Sequence, residues 1–372
     1  MTSPNDLRSH SLKNRPQINF GRMIGYYTRD FRAADVVSAV DYLTLICLNQ
    51  DLGGEAGRRQ SGLCYEALRE LVLETREFSK LIGDIKPDGQ RLQGIIENRG
   101  PLIGFREEDD FINTVTLQAA SFADENGRTT DSVLLYHLAG EYDAVIAIVS
   151  RALSEAISLE IGEDPMRLAP IKPRAGGKEA EGQQGTSLSL ASIDDPVELA
   201  RTMMTMYERD AMFYRKIQDQ NKVACRVLLE MSTIKTLVES GQWAQCLDVS
   251  FTALEIGEHL LTNHVQKIRG LEILPLDAGG DASTIRAYAS KFSGLSQPVS
   301  INVPNLLMWT IICCVRQREQ LTNGQFSGNE GTRRMMVDQL KQMTLDLTTY
   351  TSQLRYRFPP HLHEALARAS AE

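Results

Sequence analysis

Apolar residues recur three or four positions apart through most of this chain, which is the spacing of one face of an α-helix. The densest example runs from Leu134 to Leu153, where two apolar stretches flank Gly140. A glycine at that point can adopt the left-handed conformation that ends a helix, so the second stretch is expected to fold back against the first. The pattern therefore predicts an antiparallel helix pair around Gly140.

A similar pair is predicted around Gly241, where Trp243 follows the glycine by two positions, as Tyr142 follows Gly140. In each copy an Ala-Leu dipeptide ends eleven residues after that aromatic residue. Two copies of one helix pair suggest that such pairs stack, although two are too few to define a strict repeat.

Prolines divide the helical pattern into blocks. All thirteen prolines lie outside four segments with helical spacing, namely residues 17–86, 102–164, 197–274 and 305–358. A proline inside a helix removes a hydrogen bond, so these segments are predicted to be the helical parts of the chain. Strand patterns are almost absent. Residues 299–303 alternate, but they lie between two prolines and are predicted to form an extended connector.

Local signals refine the predicted elements. Asp35 is the expected N-cap of the second helix, a glycine-rich loop at 53–57 precedes a longer helix, and residues 88–96 form a turn-rich connector.

The last long helix, 331–357, carries a narrow apolar stripe: Met336, Leu340, Met343, Leu347, Tyr350 and Leu354. A coiled-coil seam is one interpretation of the stripe. Its length of fewer than three heptads favours packing on the preceding helix, 305–321.

Two segments are predicted to be disordered. Residues 162–195 are rich in proline, glycine and serine with few apolar residues, so burial cannot offset the entropy of ordering them. The polar segment 1–16 is assigned in the same way. The expected organisation is a helical lobe at 17–161, the disordered insertion at 162–195, and a second helical lobe at 196–372.

Composition restricts the class of protein. The 372 residues suffice for one large or two medium folded units. The net charge of −8 argues against a nucleic-acid partner, which needs a clustered basic face. The six cysteines fall within predicted helices at spacings that suit neither a disulfide framework nor zinc, which indicates reduced thiols in a cytosolic or nuclear compartment.

Targeting signals are also not expected. The N-terminus lacks the pattern of a signal peptide. The longest apolar run, 306–315, is about half of the roughly 20 residues that a membrane span needs. We therefore predict a buried helix there and no transmembrane segment.

No catalytic, cofactor-binding or metal-binding residue is assigned from the sequence. The Walker, dinucleotide-binding, zinc-protease and serine-hydrolase motifs are absent. His361 and His363 have only Glu364 as a close carboxylate and no cysteine nearby, so a metal site is not expected. The four carboxylates at 107–110 fit the start of a helix better than acid–base chemistry. His137 is predicted to be a structural histidine rather than a catalyst.

Two apolar features have both a functional and a structural interpretation. The methionine-rich stripe at 203–212 is able to bind partner helices, but its spacing favours a place in the core. Cys313 and Cys314 are adjacent, so on a helix they point about 100° apart, and buried, unreactive thiols are favoured over a redox pair. The residues that bind a partner remain unknown at this stage.

Positions spread over nearly the whole chain form a pattern known from one protein family. They are Tyr27, Phe31, Ala39, Tyr42 and Leu43; residues 71–78 and 81–83; Asp88, Gly89, Arg91, Gly94 and Ile95; and residues 133–142 and 304–354. In these positions the sequence resembles the nucleoporin-interacting-component family, the helical scaffold nucleoporin of the nuclear pore inner ring. The resemblance concerns the C-terminal half of that family. The family's N-terminal coiled coil and linker region has no counterpart here, which leaves open whether the chain is a fragment of a longer protein.

The resemblance implies an all-α fold, an elongated irregular α-solenoid of stacked antiparallel helices. It further implies a structural component of the nuclear pore complex, at the nuclear envelope of the nucleus, that supports nucleocytoplasmic transport by docking other nucleoporins. One implied partner is a short helical motif of the membrane-associated linker nucleoporin. An enzyme, a cofactor and direct nucleic-acid binding are not expected.

Two alternatives stay open. The chain has the features of a soluble α-helical adaptor in another assembly, such as a vesicle coat or a signalling complex, and the location of the tagged protein at the nuclear rim would separate this from the scaffold hypothesis. An unrecognised helical enzyme would need a pocket with convergent titratable groups.

Overall fold

The structure is a computed structural model, and it describes residues 8–10, 16–52, 54–86, 89–171, 190–247, 267–323 and 329–371. Within these ranges nearly all regular structure is helical, which confirms the predicted all-α class. The strands described there form two small antiparallel pairs. Strand β1 (Arg8–His10) pairs with β2 (Pro16–Ile18), and β3 (Gly83–Ile85) pairs with β4 (Arg91–Gln93).

The chain divides into two compact units. Unit 1 comprises Met1–Ile148, Arg167–Leu199 and Asp210–Lys216, and unit 2 comprises Val149–Met166, Ala200–Arg209 and Ile217–Glu372. Each unit contains segments that precede and segments that follow residues 162–195. The sequence instead predicts two lobes, one on each side of those residues.

The described part of unit 1 contains two 3₁₀-helices, Leu45–Leu52 and Gly100–Ile103, and a π-helical segment, Ile112–Thr116. Its α-helices make up the rest of its helical structure. They are α1 (Phe20–Arg29), α2 (Val36–Thr44), α3 (Gly54–Thr75), α4 (Phe78–Leu81), α5 (Ile95–Asn98), α6 (Glu108–Phe111), α7 (Leu117–Glu125), α8 (Thr129–Leu138) and the first part of α9 (Tyr142–Ser158). Two further helices follow after the described residues resume: α10 (Pro196–Arg209), which is divided between the units, and α11 (Ala211–Arg215).

Helices of unit 2 follow in order, beginning with the rest of α9. They are α12 (Asp219–Glu239), α13 (Trp243–Leu247), α14 (Lys267–Gly270), α15 (Ala282–Phe292), α16 (Gln297–Ser300), α17 (Val303–Thr322), α18 (Glu330–Gln353) and α19 (Pro360–Ala371). The second helix of the predicted Gly241 pair is described only as far as Leu247, and its remainder lies outside the described residues.

The two glycine turns predicted from the sequence have the same geometry. Gly140 and Gly241 adopt φ values of +78° and +73°. In the first turn the N–H of Glu141 donates to the carbonyl of Tyr136, and in the second the N–H of Gln242 donates to the carbonyl of Leu237. Both are the six-to-one bond that closes a helix C-terminus after a left-handed glycine. The local motif therefore occurs twice, once in each unit.

Helix α3 lies at the centre of unit 1. Leu68, Leu71 and Val72 have no exposed surface, and the helix packs against both α2 and α7. The predicted N-cap of α2 is confirmed, because an Asp35 carboxylate oxygen accepts a hydrogen bond from the N–H of Ser38 at 3.1 Å. The glycine-rich loop predicted at 53–57 is wrong in part, because α3 already begins at Gly54.

Helix α17 is the apolar centre of unit 2. Residues Gln297–Thr322 are, by length and composition, the one described segment capable of crossing a membrane, and the most apolar 18-residue window within them has a mean hydropathy of 1.6. Leu306, Leu307 and Cys313 are nevertheless fully buried, and α17 packs on α13, α18 and α19. The core helix of a folded domain meets the same criteria of length and composition. The burial of α17 agrees with the buried helix predicted at 306–315.

The stripe on α18 also packs as predicted. Met336, Leu340, Met343, Leu347 and Tyr350 are all buried, and α18 lies against α17. The helix ends at Gln353 rather than at 357, and a further helix, α19, begins at the predicted stop, Pro360.

Two predicted connectors contain regular structure instead. Residues 88–96 include strand β4, and residues 299–303 are helical at both ends because α16 ends at Ser300 and α17 begins at Val303. The local sequence pattern at 88–96 does not reveal strand β4, because this strand forms only where residues 81–85 approach it closely. A Cβ atom on Gly94 would lie 2.3 Å from the carbonyl oxygen of Leu81, so only glycine fits there.

Part of each predicted disordered segment is ordered where the structure describes it. At the ends of the insertion, the N–H groups of Leu168 and Ile171 donate to the carbonyls of Asp194 and Ala191, respectively, and Leu168 is buried. The middle of the insertion, 172–189, lies outside the described residues. In the N-terminal segment, β1 pairs with β2, while the rest of 1–15 lies outside them.

Candidate interaction surfaces

Titratable side chains do not converge on a reactive centre in the described ranges. Those residues hold no group of three His, Cys, Asp or Glu side chains able to bind a metal ion. His361 and His363 are exposed on α19. His137 is fully buried in α8, and burial lowers the pKa of its imidazole to about 4, so it is neutral at physiological pH. Burial of this kind agrees with the structural role predicted for His137.

All six cysteines are buried and none is in a disulfide. Two pairs of thiols lie in hydrogen-bond contact, Cys47 with Cys64 in unit 1 and Cys246 with Cys313 in unit 2. The contact raises the pKa of Cys64 and of Cys313, and burial raises it further. Burial raises the pKa of Cys314 to about 12, although the charge of Arg318 acts in the opposite direction. The contacts between the thiols lower the pKa of Cys47 and of Cys246. The burial and the raised pKa values of Cys313 and Cys314 agree with the unreactive thiols predicted at those two positions.

The carboxylate run at 107–110 caps a helix, as predicted. Asp110 accepts hydrogen bonds from the N–H groups of Arg106 and Glu107 at 3.1 and 3.3 Å, and Glu107 occupies the N-cap position of α6. The negative charges lie at the positive end of the helix dipole.

A buried ion cluster lies beside α8. The side chain of Asp131 has no exposed surface, and its Oδ1 accepts from Arg76 Nε at 2.9 Å and Nη2 at 2.5 Å, while Arg128 pairs with its Oδ2. The guanidinium of Arg76 also donates to the carbonyl of Pro170 at 3.1 Å. The cluster therefore ties Pro170, within the 162–195 segment, to α8 in unit 1.

A groove of about 780 Å³ runs between α3 and α7 in unit 1. Its floor is apolar, with Leu73 and Ala119 buried and Phe122 54% exposed. Its sides carry polar and charged groups: Glu66, Arg69, Glu70, Glu74, Gln118, Ser121, Glu125 and Arg128. We call this feature the acidic groove.

The two arginines that line the acidic groove are both hydrogen-bonded to neighbouring groups. Arg69 donates to the carbonyl of Thr114 at 3.1 Å, and Arg128 donates to the carbonyl of Leu73 at 2.8 Å and pairs with the buried Asp131. Glu66 and Glu70 are exposed on α3. Glu70 lies 3.9 Å from Arg32, which also pairs with Glu74, and Arg69 interacts electrostatically with Glu66. The lining thus holds four carboxylates and two guanidiniums, an excess of negative charge around an apolar floor.

A second cleft, of about 680 Å³, lies between α15 and the end of α18 in unit 2. Arg286 and Arg355 line it, Phe292 and Leu354 supply its apolar surface, and no carboxylate is among its lining residues. Phe292 is held edge-on by Tyr356, with ring centroids 5.5 Å apart. This cleft is positively charged, in contrast to the acidic groove.

Aromatic side chains are exposed on α1 and α2. Tyr27, Phe31 and Tyr42 form a triad of edge-to-face rings with centroids 5.0–5.8 Å apart, and Tyr27 is 58% exposed. In the sequence these three residues stand out through the family resemblance, and nothing in the sequence pattern shows that their rings face solvent.

Sequence reasoning missed the acidic groove. More than half of the Phe122 side chain is exposed, which the helical spacing of the apolar residues did not indicate. A partial signal was present, since Glu66, Glu70 and Glu74 recur every four residues and so share one face of α3. Nothing in the sequence indicates that this face lies beside Phe122.

Comparison with known proteins gives one consistent result. The family model described as Nup93/Nic96 matches residues 1–365. Among similar proteins, the chain is 66% identical to "Nucleoporin NIC96" of Chaetomium thermophilum over 99% of its own length, and 35% identical to "Nucleoporin NIC96" of Saccharomyces cerevisiae over 95%. It covers 32% and 36% of those two proteins, so the chain spans about a third of the length of the curated relatives it matches.

A solved structure agrees with these matches. The chain is similar to the structure titled "Crystal Structure of Chaetomium thermophilum Nic96 SOL", with a TM-score of 0.79 and 64% sequence identity. The similarity covers 99% of this chain and 49% of that one. The helical architecture described above is therefore shared with that protein over nearly all of this chain.

Proposed function

The chain belongs to the Nup93/Nic96 family, and we propose on that premise that it acts as a structural scaffold component of the nuclear pore complex inner ring. The observation that carries the proposal is the match over residues 1–365 together with 66% identity to a nucleoporin. In this role it resides at the nuclear envelope and supports nucleocytoplasmic transport by holding other nucleoporins in place.

The proposed mode of action is non-catalytic. In the described ranges, the histidine and cysteine side chains with shifted pKa values are enclosed, and the two clefts are lined by surface charges rather than by convergent acid–base groups. Stacked helices instead leave grooves between neighbours, and such grooves suit short helical segments of other proteins.

The proposed partners are other nucleoporins. From the family resemblance, one of them is the membrane-associated linker nucleoporin, which would dock a short helical motif on the helical surface. Such docking requires the surface grooves of this chain and no transmembrane segment of its own.

Location in the cell tests the proposal. We expect the full-length gene product, tagged at its own locus, to concentrate at the nuclear rim in a punctate pattern and to capture inner-ring nucleoporins. Concentration on transport vesicles, or capture of coat or signalling subunits in place of nucleoporins, would overturn the scaffold proposal and favour the adaptor. A variant of the tagged protein lacking residues 197–372 serves to locate the captured partners on the chain.

A further inference from the structure

We propose that the cleft between α15 and the end of α18 binds an extended acidic segment of another protein, one that presents a single apolar side chain between aspartates or glutamates. We call this feature the arginine cleft, because Arg286 and Arg355 line it. The inference rests on the proposed function only in assuming that the chain binds other proteins. Three features carry it: unpaired arginines, an apolar floor and a stretch of backbone with free N–H groups.

The arginines carry positive charge that the described part of the chain does not neutralise. Arg286 and Arg355 are exposed, and so is Arg357, two residues further along the chain. None of the three forms an ion pair or a hydrogen bond through its side chain with another described residue. Lys291, by contrast, pairs with Glu272 at 3.4 Å. A guanidinium binds a carboxylate through two parallel hydrogen bonds, so the three arginines favour a partner that carries carboxylates.

The carboxylates on neighbouring elements are already engaged or lie outside the cleft. Asp281 is the N-cap of α15 and accepts hydrogen bonds from two N–H groups of its first turn, at 3.2 and 3.1 Å. Asp346 is buried in α18 and accepts from the N–H of Gly280 at 3.2 Å. Glu364 is exposed on α19 but does not line the cleft. The cleft is therefore locally basic, although the net charge of the chain is −8.

Aromatic packing holds the floor of the cleft in place. Phe292 and Leu354 supply its apolar surface, and both are partly exposed. Tyr356 packs edge-on against Phe292 and also contacts the buried Phe358, with ring centroids 5.5 and 5.0 Å apart, respectively. The cleft of about 680 Å³ accommodates one large apolar side chain of a partner on this floor. Binding of that side chain removes apolar surface from water on both molecules.

The backbone of residues 355–358, which joins α18 to α19, favours an extended partner. Leu354, where α18 ends, has extended dihedral angles, with φ −79° and ψ 132°. None of the four N–H groups at 355–358 donates to another described group of the chain. Carbonyl groups of an extended peptide are free to accept from these N–H groups, whereas those of a helix are bonded within the helix. The arginines at 355 and 357 are exposed and the aromatic residues at 356 and 358 are buried or partly buried, which is the alternation of an extended chain.

A set of peptides tests the proposal with the purified full chain. The acidic peptide has about ten residues, with one leucine between aspartates and glutamates and a proline near each end to prevent a helix. In its basic twin lysine replaces every acidic residue, and in a third peptide serine replaces the leucine. Binding is measured by fluorescence anisotropy at low and high salt. We expect the acidic peptide to bind at least about tenfold more tightly than either of the others, with an affinity that falls as salt rises.

A conformational control separates an extended partner from a helical one. The same acidic sequence without the prolines, cross-linked so that it stays helical, should bind at least about tenfold more weakly. Equal or tighter binding of the helical form would overturn the proposal of an extended partner.

Charge-reversal variants locate the binding. Arg286→Glu combined with Arg355→Glu should weaken the acidic peptide by at least about tenfold and strengthen the basic twin, which a merely structural effect would not produce. Both side chains are exposed and unpaired within the described ranges, so circular dichroism should show unchanged helicity.

A matched control separates the cleft from the overall charge of the chain. Arg58→Glu combined with Arg59→Glu makes the same change in net charge at exposed positions of α3, in unit 1. This variant should bind the acidic peptide as the unaltered chain does. If it weakens binding as much as the cleft variant does, the proposal is wrong, because the attraction would then depend on the net charge of the whole chain.

The remaining outcomes also decide the question. If the acidic peptide does not bind the unaltered chain, the inference is overturned, while the scaffold function, which is tested by location at the nuclear rim, is untouched. A single-stranded oligonucleotide or inositol hexakisphosphate that binds more tightly than the acidic peptide, and loses affinity in the cleft variant, would assign the cleft to a phosphate ligand instead. Self-association in analytical ultracentrifugation that the cleft variant abolishes would assign it to a second copy of this chain. Either result would overturn the inference.

Discussion

His137 connects burial to the pH dependence of stability. The imidazole has no exposed surface within α8, and burial alone holds its pKa near 4, compared with 6.5 in the unfolded chain. A histidine whose folded pKa is lowered binds its proton in the unfolded state first, so acid favours unfolding.

We therefore expect stability to be lost as the pH falls from about 6.5 toward 4, with a contribution from His137 of about 3 kcal/mol. Carboxylates titrate in part of the same range, so the comparison that isolates the histidine is with His137→Gln, which cannot titrate. Urea unfolding at pH 7, 6, 5 and 4 should show a shallower decline for the variant. Parallel declines would contradict the assignment.

Asp131 illustrates the energetics of an enclosed ion cluster. Because its carboxylate has no exposed surface and is shared by Arg76 and Arg128, removal of the carboxylate leaves two guanidiniums without their anion. We expect Asp131→Ala to lower the free energy of unfolding by about 3 kcal/mol, measured by chemical denaturation. Asp109→Ala, at an exposed carboxylate of α6, should change it by no more than about 0.5 kcal/mol.

At the scale of elements, the two glycine turns explain why the helix pairs reverse where they do. Gly140 and Gly241 both have φ values near +75°, a conformation that a residue with a Cβ atom adopts only at a cost. Their aromatic neighbours pack on the turns, since a Cβ on Gly241 would lie 3.6 Å from the Trp243 ring.

Alanine at these positions should destabilise the chain by about 1 kcal/mol each, whereas alanine at helical glycines should stabilise it by a similar amount. Gly25 and Gly62 are the matched controls, because both lie in helices and have no atom within 4 Å of an added Cβ. Thermal unfolding of the four single variants measures the sign of the stability change at each position. The same sign of change at all four positions would show that backbone conformation is not the cause.

For the whole molecule, the burial of all six cysteines makes thiol reactivity a probe of global opening. A thiol reagent can reach these side chains only after the helices around them separate. We expect the native chain to react at least about 100-fold more slowly than the denatured chain, which corresponds to an opening free energy of about 3 kcal/mol. A thiol that reacts in the folded chain at the denatured rate would show that its helix opens independently.

The sequence by itself determined the features that depend on neighbours within a few residues. Helical periodicity, the cap at Asp35 and the glycine turns at Gly140 and Gly241 are local, so the helices and their reversals were predicted near their observed positions. The family resemblance was also available from the sequence, because it rests on residue identities along the chain.

Tertiary structure alone decided the features made by segments that are distant along the chain. Strand β4 exists because it meets residues 83–85, and Pro170 is held by Arg76, which pairs with the buried Asp131 of α8. The acidic groove arises because α3 packs on α7 and leaves Phe122 half exposed. A periodic stripe reports that a helix has an apolar face. Which part of that face a neighbour covers depends on the three-dimensional packing, and the uncovered part is where a partner can bind.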